Sequence, residues 1–397
     1  MIKLLFAGDL STSRISGANA ELAKIAMSEA KTVFDTADYR IVNLENPYDG
    51  EKRGEPIPKS GPNLIAERES VAFLKYLGVE LVSLANNHTG DYEDESLFNT
   101  FDVLDKEGVA YAGAGKDLDD AYKAHRFEVK GVKFSVICIC ENEFGVARTD
   151  KAGTAGYNYM RLANKIAEEK GVSDKVIVFF HGGCENYVIP SPLCKERYRG
   201  IVDAGADALI ACHTHCTQGY EYYKGTPIVY SMGNFYFPTK SRGGMWAWGY
   251  MCALTLEDGK FTVEAIPYRN PESDVSLHLM EGADKDNALA FIDKLSAILA
   301  DDKLTRRYYD AWCMKSGINY LGSMEHFKEE HKKFGGNVAD FAPTKNLFSC
   351  ESHNELVGNT LNLLFYKKTD GPRKDLEEMV YPLIAESAKI GDEKYEK

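Results

Sequence analysis

The stretch Ile210-Ala211-Cys212-His213-Thr214-His215 carries two histidines, one residue apart, at the end of an apolar strand. Two imidazoles held so close beyond a strand can converge on a metal ion or on an anion. Metal is the better interpretation because other apolar runs of the chain also end in ligand-type side chains. The residues that follow those runs are Asp9, Glu45, Asn87 with His88, and His181. Core patterning does not explain five such strands, so we predict a two-metal hydrolase site.

The composition narrows the possible partners. The chain has 397 residues and a formal net charge of −13, which disfavours a nucleic-acid or anionic-membrane surface. No apolar stretch approaches the roughly 20 residues of a membrane span. An anionic small-molecule or polymer substrate would therefore need the positive charge of bound metals. The sequence leaves the oligomeric state open.

The chain start and the cysteines indicate a compartment. Residues 1–9 are typical of a first core strand rather than of a targeting segment. The nine cysteines are odd in number and scattered, and several lie inside apolar strands, which favours reduced thiols over a disulfide framework. We predict a cytoplasmic location.

The order of apolar runs predicts the fold class. Up to about residue 270, strands alternate with helices, which predicts a layered α/β domain with parallel strands. Strands are predicted at 2–7, 39–44, 80–84, 132–140, 175–180 and 207–212, and helices near 19–35, 67–77, 95–107, 158–170 and 192–204. From about 219, runs at 219–223, 226–231, 250–257 and 260–267 predict antiparallel hairpins. The whole is an α/β sandwich of sheets with helices outside.

Beyond about residue 275 the pattern is helical. Leu289, Ile292, Leu295, Ile298 and Leu299 form one apolar stripe at helical spacing. Further helices are predicted near 303–315, 322–333, 352–366 and 373–390. We expect two units, a domain at 1–272 and a helical extension at 273–397, and we expect the extension to be a packing layer or dimer contact rather than part of the catalytic site.

The motifs taken in chain order resemble a known family. They are Gly8-Asp9, Asn43-Leu44-Glu45, Asn86-Asn87-His88, His181-Gly182-Gly183-Cys184-Glu185, Cys212-His213-Thr214-His215 and Tyr230-Ser231-Met232-Gly233-Asn234-Phe235. This order resembles the poly-γ-glutamate/capsule-synthesis CapA family, a branch of the calcineurin-like metallophosphoesterase superfamily. The resemblance spans roughly residues 1–270. It implies a layered α/β/β/α metallophosphoesterase-like sandwich and a link to capsule or poly-γ-glutamate production.

The resemblance also implies a role for each site residue. The implied metal ligands are Asp9 and His215 for a first metal, Asn87, His181 and His213 for a second, and Glu45 as the bridge between them. His88 is implied as the general acid or charge stabiliser. Mixed imidazole and carboxylate ligands suit two divalent ions such as Mn²⁺, Fe²⁺ or Zn²⁺. Such a pair, roughly 3.5–4 Å apart, activates water and stabilises both the attacking and the leaving oxygen.

Three positions depart from the pattern. The superfamily has a histidine where this chain has Ser11, glycine where it has Cys212, and often proline where it has Thr214. A site with one metal or an open first site is thus an alternative. A thiolate zinc site using Cys212 and Cys216 is another, although a strand residue next to His213 is expected to point the other way.

Several weaker candidates surround this set. We consider Glu185 as a hydrogen-bond partner of a ligating imidazole, Asn234 as a pocket or turn residue, and Lys59 and Ser60 as residues of a loop over the site. The segment 241–248, which includes Arg242, is either a lid or aromatic packing. Asp91 is expected to cap a helix. Surface or packing roles are expected for the remaining histidines, His125, His278, His326, His331 and His353.

These features together predict a metal-dependent hydrolase that attacks a phosphoester. Two alternatives remain at the level of sequence. One is a non-catalytic polymer-binding or assembly protein, which Ser11 favours. The other is an amide hydrolase acting on γ-glutamyl linkages in the same fold.

Overall fold

The larger of two stacked β-sheets is built around the first strand, β1 (Ile2–Leu10). The computed structural model describes residues 1–238, 244–271, 275–322 and 341–392. The other strands of this sheet are β2 (Tyr39–Leu44), β3 (Leu81–Ser83), β4 (Ala110–Ala112), β13 (Asn234–Tyr236), β14 (Trp248–Glu257), β15 (Lys260–Arg269) and β16 (His278–Leu279). They run in the order β16-β15-β14-β1-β2-β3-β4, and β13 also pairs with β1. Strands β1 to β4 are parallel, and β14 to β16 are antiparallel.

The second sheet has six strands. They are β6 (His125–Val129), β7 (Val132–Cys140), β9 (Lys175–His181), β10 (Ala208–Cys212), β11 (Tyr220–Tyr223) and β12 (Thr226–Val229), and a separate small pair joins β5 (Ala114–Gly115) to β8 (Gly153–Thr154). The order across the sheet is β11-β12-β10-β9-β7-β6. The four central strands are parallel, and the two edge strands are antiparallel. The predicted α/β class with parallel strands and added hairpins is confirmed.

Strand β1 shows how the layers form. Because successive side chains of a strand point to opposite faces, Leu4 and Phe6 face the second sheet, whereas Leu5 and Ala7 face helices. The Phe6 ring meets the Phe179 ring edge-on, with centroids 5.5 Å apart, across the two sheets. The helices on the first sheet's outer face are Ala20–Ala26, Ser28–Phe34, Ala72–Leu77 and Glu93–Glu107. The predicted α/β/β/α layering is therefore present.

The second sheet is covered by Tyr159–Lys170, Pro192–Asp203 and the C-terminal helices. The described C-terminal helices are Gly282–Ala300, Asp302–Trp312, Ala342–Ser349, Glu351–Phe365, Asp370–Asp375 and Tyr381–Asp392, and the remaining short helices are Arg68–Val71, Leu118–Ala121, Gly244–Trp246, Cys313–Gly317 and Leu376–Val380. The predicted helix at 322–333 lies almost entirely outside the described residues. The boundary predicted at residue 272 also lies outside them and stays a prediction.

Candidate metal centre

The carboxyl ends of strands from both sheets meet at one edge of the sandwich. Strand β1 delivers Asp9, the loop after β2 delivers Glu45, and β9 ends at His181. The loop after β10 delivers His213 and His215. Pairing in the first sheet shifts register at Asp9, as at a β-bulge, a feature that redirects side chains beside active sites.

Both histidines of the loop after β10 have a positive φ. His213 has a φ of 105° and His215 a φ of 58°, both in the left-handed region that side chains other than glycine rarely adopt. Such conformations cost about 1–3 kcal/mol each and persist where the surrounding structure enforces them. The Thr214 hydroxyl donates to Ser231 Oγ at 2.9 Å and holds the turn between the two histidines. Both imidazoles consequently face the same buried space.

Two glycines allow strand β1 and the residue before β13 to lie close together beneath the site. A Cβ on Gly8 would lie 2.2 Å from the carbonyl oxygen of Gly233, so only glycine fits at residue 8. Gly233 itself has a φ of 74°. This close approach sets Asp9 beside Asn234 in the parallel β1–β13 pairing. The order Gly-Asp in one motif and Gly-Asn in the other thus has a packing reason.

Glu45 lies at the centre of the cluster and has no hydrogen-bond partner. The residue is fully buried, and both carboxylate oxygens are unsatisfied. Its Oε1 lies 3.9 Å from His88 Nε2, 4.0 Å from His181 Nε2 and 3.9 Å from His215 Nε2. Burial first, and then the charge of Asp9, raise the pKa of Glu45 well above its ordinary value. A buried carboxylate without a donor, close to three imidazoles, is suited to binding a cation.

The atoms of the second group also converge. His181 Nε2 lies 3.1 Å from Asn87 Oδ1 and 2.9 Å from His213 Nδ1. Burial, followed by the neighbouring His213, lowers the pKa of His181 well below its ordinary value. The neutral ring that results is the form of histidine that binds metals. Asn87, His181, His213 and Glu45 therefore surround one point, as the ligands of a single ion would.

Asp9, Glu45 and His215 form the other group, with ligand atoms within 4.8 Å of one another. His215 Nδ1 lies 2.8 Å from Asn234 Oδ1, so this nitrogen carries the ring proton and donates. The lone pair of Nε2 is then left to face Glu45, as in metal sites whose outer partner fixes the imidazole. Asn234 is therefore a positioning residue for His215. The donor sets of both groups fit borderline divalent cations.

Glu143 is a site residue that the sequence analysis missed. Its Oε2 accepts from Asn87 Nδ2 at 3.1 Å, which turns the Asn87 carbonyl oxygen towards His181. Its Oε1 lies 3.4 Å from His213 Nε2, so it also orients the His213 ring. Burial would raise the pKa of Glu143, but the nearby His213 imidazole holds it well below its ordinary value. Burial lowers the pKa of His213, but Glu143 raises it to about 9.

His88 belongs to an aspartate–histidine pair. Its Nδ1 lies 2.6 Å from Asp91 Oδ2, while its Nε2 faces Glu45. Asp91 also accepts from Lys59 Nζ at 2.6 Å and from the Leu64 amide at 2.7 Å. The expectation that Asp91 caps a helix is wrong, because the following helix has no side-chain cap and Asp91 instead orients His88.

Two further expectations need correction. His353 is buried and packs against Tyr320, but it does more than pack, because together with Lys59, Ser60, Glu185 and other residues it lines the cavity that opens onto the cluster. The expected hydrogen bond from Glu185 to a ligating imidazole is absent from the described residues, since His181 Nδ1 lies near Asn43 and Cys212.

Two positions, Cys212 and Ser11, concern the alternatives left open by the sequence. Cys212 does face the cluster, with Sγ 3.4 Å from His181 Nδ1, contrary to the expectation that it points away. Burial and Asp9 raise the pKa of its thiol well above the ordinary value, which disfavours a thiolate. The side chain of Ser11 lies 2.9 Å from Ser13 Oγ.

The tryptophans of segment 241–248 pack rather than form an exposed lid. Trp246 stacks on the His215 ring with centroids 4.0 Å apart, and Trp248 donates to the Ser387 carbonyl at 3.0 Å. Arg242, like His326 and His331, lies outside the described residues.

The fold and the cluster define an α/β protein with a candidate metal centre at the carboxyl edge of two stacked sheets. A family model described as "Bacterial capsule synthesis protein PGA_cap" matches residues 3–239, more than half of the chain. The chain belongs to this bacterial capsule synthesis protein family. The resemblance to CapA proteins noted from the motifs is thereby confirmed.

Curated relatives agree with the family. The chain is 31% identical over 208 residues to the "PGA biosynthesis protein CapA" of Bacillus subtilis, covering 52% of this chain and 54% of that protein. It is 30% identical over 209 residues to the "Capsule biosynthesis protein CapA" of Bacillus anthracis, covering 51% of each. The chain thus spans about half the length of these relatives.

Solved structures give weaker likenesses. A hypothetical protein from Thermus thermophilus has a TM-score of 0.44 at 17% identity and covers 68% of this chain and 100% of that one. A 5'-nucleotidase from Candida albicans has a TM-score of 0.38 at 11% identity, covering 67% and 51%. Both TM-scores lie below 0.5, so neither structure bears on the function of this chain.

Proposed function

We propose that the protein is a metal-dependent phosphoester hydrolase with a two-metal centre. The observation that carries the proposal is Glu45, a fully buried carboxylate whose two oxygens lack any hydrogen-bond donor and whose Oε1 lies within 4.0 Å of three imidazole nitrogens. A buried, unpaired carboxylate is costly to a protein unless a cation neutralises it. This supports a functional role for the cluster over a purely structural one.

The ligand sets follow from the distances. We assign Asp9, Glu45 and His215 to one ion, and Glu45, Asn87, His181 and His213 to the other. When bound, two such divalent ions would activate water and stabilise charge on the attacking and leaving oxygens. Mn²⁺, Fe²⁺ and Zn²⁺ all suit these donors. Glu143 and Asn234 orient the ligands, as outer partners of metal-binding imidazoles do.

His88 is the proposed proton donor to the leaving group. Asp91 fixes the Nδ1 side of the ring, so Nε2 is directed towards Glu45 and the interior of the site. Lys59 donates to the Asp91 carboxylate and, at 2.9 Å, to the backbone carbonyl of Asn87. A positioned general acid of this kind contributes about 10²–10⁴-fold to a reaction rate.

The names of the relatives support a role in capsule or poly-γ-glutamate production. A further relative, from Mycobacterium tuberculosis, carries the name "Probable polyglutamine synthesis accessory protein" and is 25% identical over 231 residues. The chain spans only about half the length of the Bacillus relatives. The role in capsule or poly-γ-glutamate production is therefore part of the proposal. Among the described residues, no helix combines the length and the apolar character needed to cross a bilayer. All nine cysteines are buried and unpaired, which supports a reducing compartment and the proposed cytoplasmic location.

Metal content and turnover test the proposal together. After purification with Mn²⁺, mass spectrometry is expected to find two equivalents of metal, and the protein is expected to cleave p-nitrophenyl phosphate. His88→Ala should retain the metal and lose about 10²–10⁴-fold in kcat. His278→Ala is the control, because His278 pairs with Glu29 at 3.0 Å far from the cluster.

Two results would contradict the proposal. Protein that retains no metal, with turnover unaffected by His88→Ala, would favour a non-catalytic binding protein. Release of glutamate from poly-γ-glutamate, without cleavage of any phosphoester, would identify an amide hydrolase instead.

A further inference from the structure

The cavity over the metal cluster is closed on one side by the C-terminal helical region. Its volume is about 210 Å³. Among the residues that line it are Arg14, His88, His215, Tyr320, Asn346 and His353. Tyr320, Asn346 and His353 lie beyond residue 239, where the family match ends. This chain therefore builds part of its site from a segment outside the matched region.

His353 is held rigidly in that wall. Asn346 Nδ2 donates to His353 Nδ1 at 3.0 Å, and Tyr320 Oη lies 3.2 Å from His353 Nε2. Both ring nitrogens are thus engaged, and the residue is only 8% exposed. Moving the ring away to admit a larger ligand would break both contacts.

The helix that carries His353 is anchored to the loops of the metal site. Glu351 accepts from the Asn142 backbone amide at 2.9 Å, and Ser352 donates to Glu141 at 2.7 Å. One turn later, Glu355 accepts from the Ser191 hydroxyl and from the Leu193 amide. These buried contacts reach the loops that follow β7 and β9, so the wall is preformed.

Size and charge together indicate what the cavity holds. Sites for drug-sized ligands occupy roughly 300–1,000 Å³, so this cavity admits a compact group but not two bulky substituents. Arg14 is exposed at the rim, with its guanidinium 5.8 Å from the centre of the Phe237 ring. Glu143 and Glu185 also line the cavity. Arg14 at the mouth and the two cations of the proposed function at the floor would supply the positive charge that an anion needs.

Building on the proposed function, we propose that His353, positioned by Asn346 and Tyr320, is a specificity-determining residue that restricts the site to phosphomonoesters. A terminal phosphate enters with its single substituent directed towards the rim. A phosphodiester inside a chain would need room for a second substituent, and His353 is part of the wall that limits this room. The substrate class is therefore a compact or terminal phosphate rather than an internal linkage of a polymer.

Binding measurements on the full chain loaded with Mn²⁺ test this inference without relying on turnover. By calorimetry, inorganic phosphate should bind the wild type about tenfold or more tightly than diphenyl phosphate. In His353→Ala the ratio of the affinity for inorganic phosphate to that for diphenyl phosphate should fall by a similar factor, mainly because diphenyl phosphate binds more tightly. His353→Gln retains volume, a donor and an acceptor, and should restore the wild-type ratio.

The matched control is His125→Ala. His125 Nε2 lies 2.8 Å from Tyr39 Oη, so this variant breaks the same kind of tyrosine–histidine contact away from the cavity. Its ratio should equal that of the wild type. Equal affinity of the wild type for both probes, no binding of phosphate, or an unchanged ratio in His353→Ala would each overturn the inference. Absence of metal from the wild type is a separate result, and it would contradict the proposed function.

Discussion

Glu45 and Glu169 are both fully buried carboxylates, yet the protein treats them in opposite ways. Glu169, on the helix Tyr159–Lys170, forms hydrogen bonds with Arg126 at 2.7 and 2.9 Å and with Ser135 at 2.7 Å, and it pairs with Lys165 at 2.9 Å. Glu45 has no donor at either oxygen. One carboxylate is satisfied from every side, and the other from none.

The pKa values follow the same division. Burial alone would raise both, but Arg126, Ser135 and Lys165 lower the pKa of Glu169 to about 2. Burial and the Asp9 charge instead raise the pKa of Glu45 well above its ordinary value. Basic side chains and a hydroxyl thus stabilise the buried carboxylate of Glu169, whereas no described side chain hydrogen-bonds to Glu45. We interpret this difference as the contrast between an ion pair kept for stability and a ligand kept for a cation.

The largest effect is expected from Glu45→Gln. Removing a side chain that hydrogen-bonds to a metal ligand lowers metal affinity or activity about 10–100-fold. Replacing Glu45, a proposed ligand of both ions, should lower metal affinity and turnover at least as much. The melting temperature of the metal-free protein should not fall, because the change removes an unpaired carboxyl. Thermal unfolding with and without Mn²⁺ is the measurement: Mn²⁺ should raise the melting temperature of the wild type and not of the variant. A metal-free variant that melts well below the wild type would show Glu45 to be structural.

A smaller effect is expected from Glu143→Gln, which weakens the outer contact to Asn87 and His213. Metal affinity, measured by competition with a chelator, should fall about 10–100-fold. Glu141→Gln is the matched control from the same loop, because Glu141 contacts Arg197 and Ser352 rather than a ligand. Equal affinities for the two variants would remove Glu143 from the metal centre.

The sequence predicted the central strands well because their signal is local. Strands β2 and β7 have the bounds expected from their apolar runs, 39–44 and 132–140. The rule that ligands follow apolar strands also applied to β7, whose end leads into Glu141 and Glu143, and it would have found Glu143. Short strands such as β4 and β13, with three residues each, carry too few positions for a periodic signal.

His353 could not have been found in the same way. In the part of the chain that the structure describes, no apolar strand leads into His353, and its place in the cavity depends on how the helix Glu351–Phe365 docks on loops some 160 to 210 residues earlier in the chain. That docking rests on buried contacts of Glu351, Ser352 and Glu355, polar residues that read as a solvated helix face in the sequence. Such long-range polar contacts have no local periodicity and appear only in the fold.

The smallest effect on function, with a definite effect on stability, is expected from Glu169→Gln. At pH 7 the free energy of unfolding should fall by about 1–3 kcal/mol, because Arg126 and Lys165 lose the negative charge that they pair with, while metal affinity and turnover stay unchanged. The pKa of Glu169 is lowered from 4.5 to about 2 in the folded protein. The stabilisation is therefore complete above pH 4.5 and is lost as the pH falls through about 2. Urea unfolding of both proteins between pH 7 and pH 2 should show the two stabilities converging on the acid side. A difference independent of pH would mean that packing, and not the charge of Glu169, distinguishes this carboxylate from Glu45.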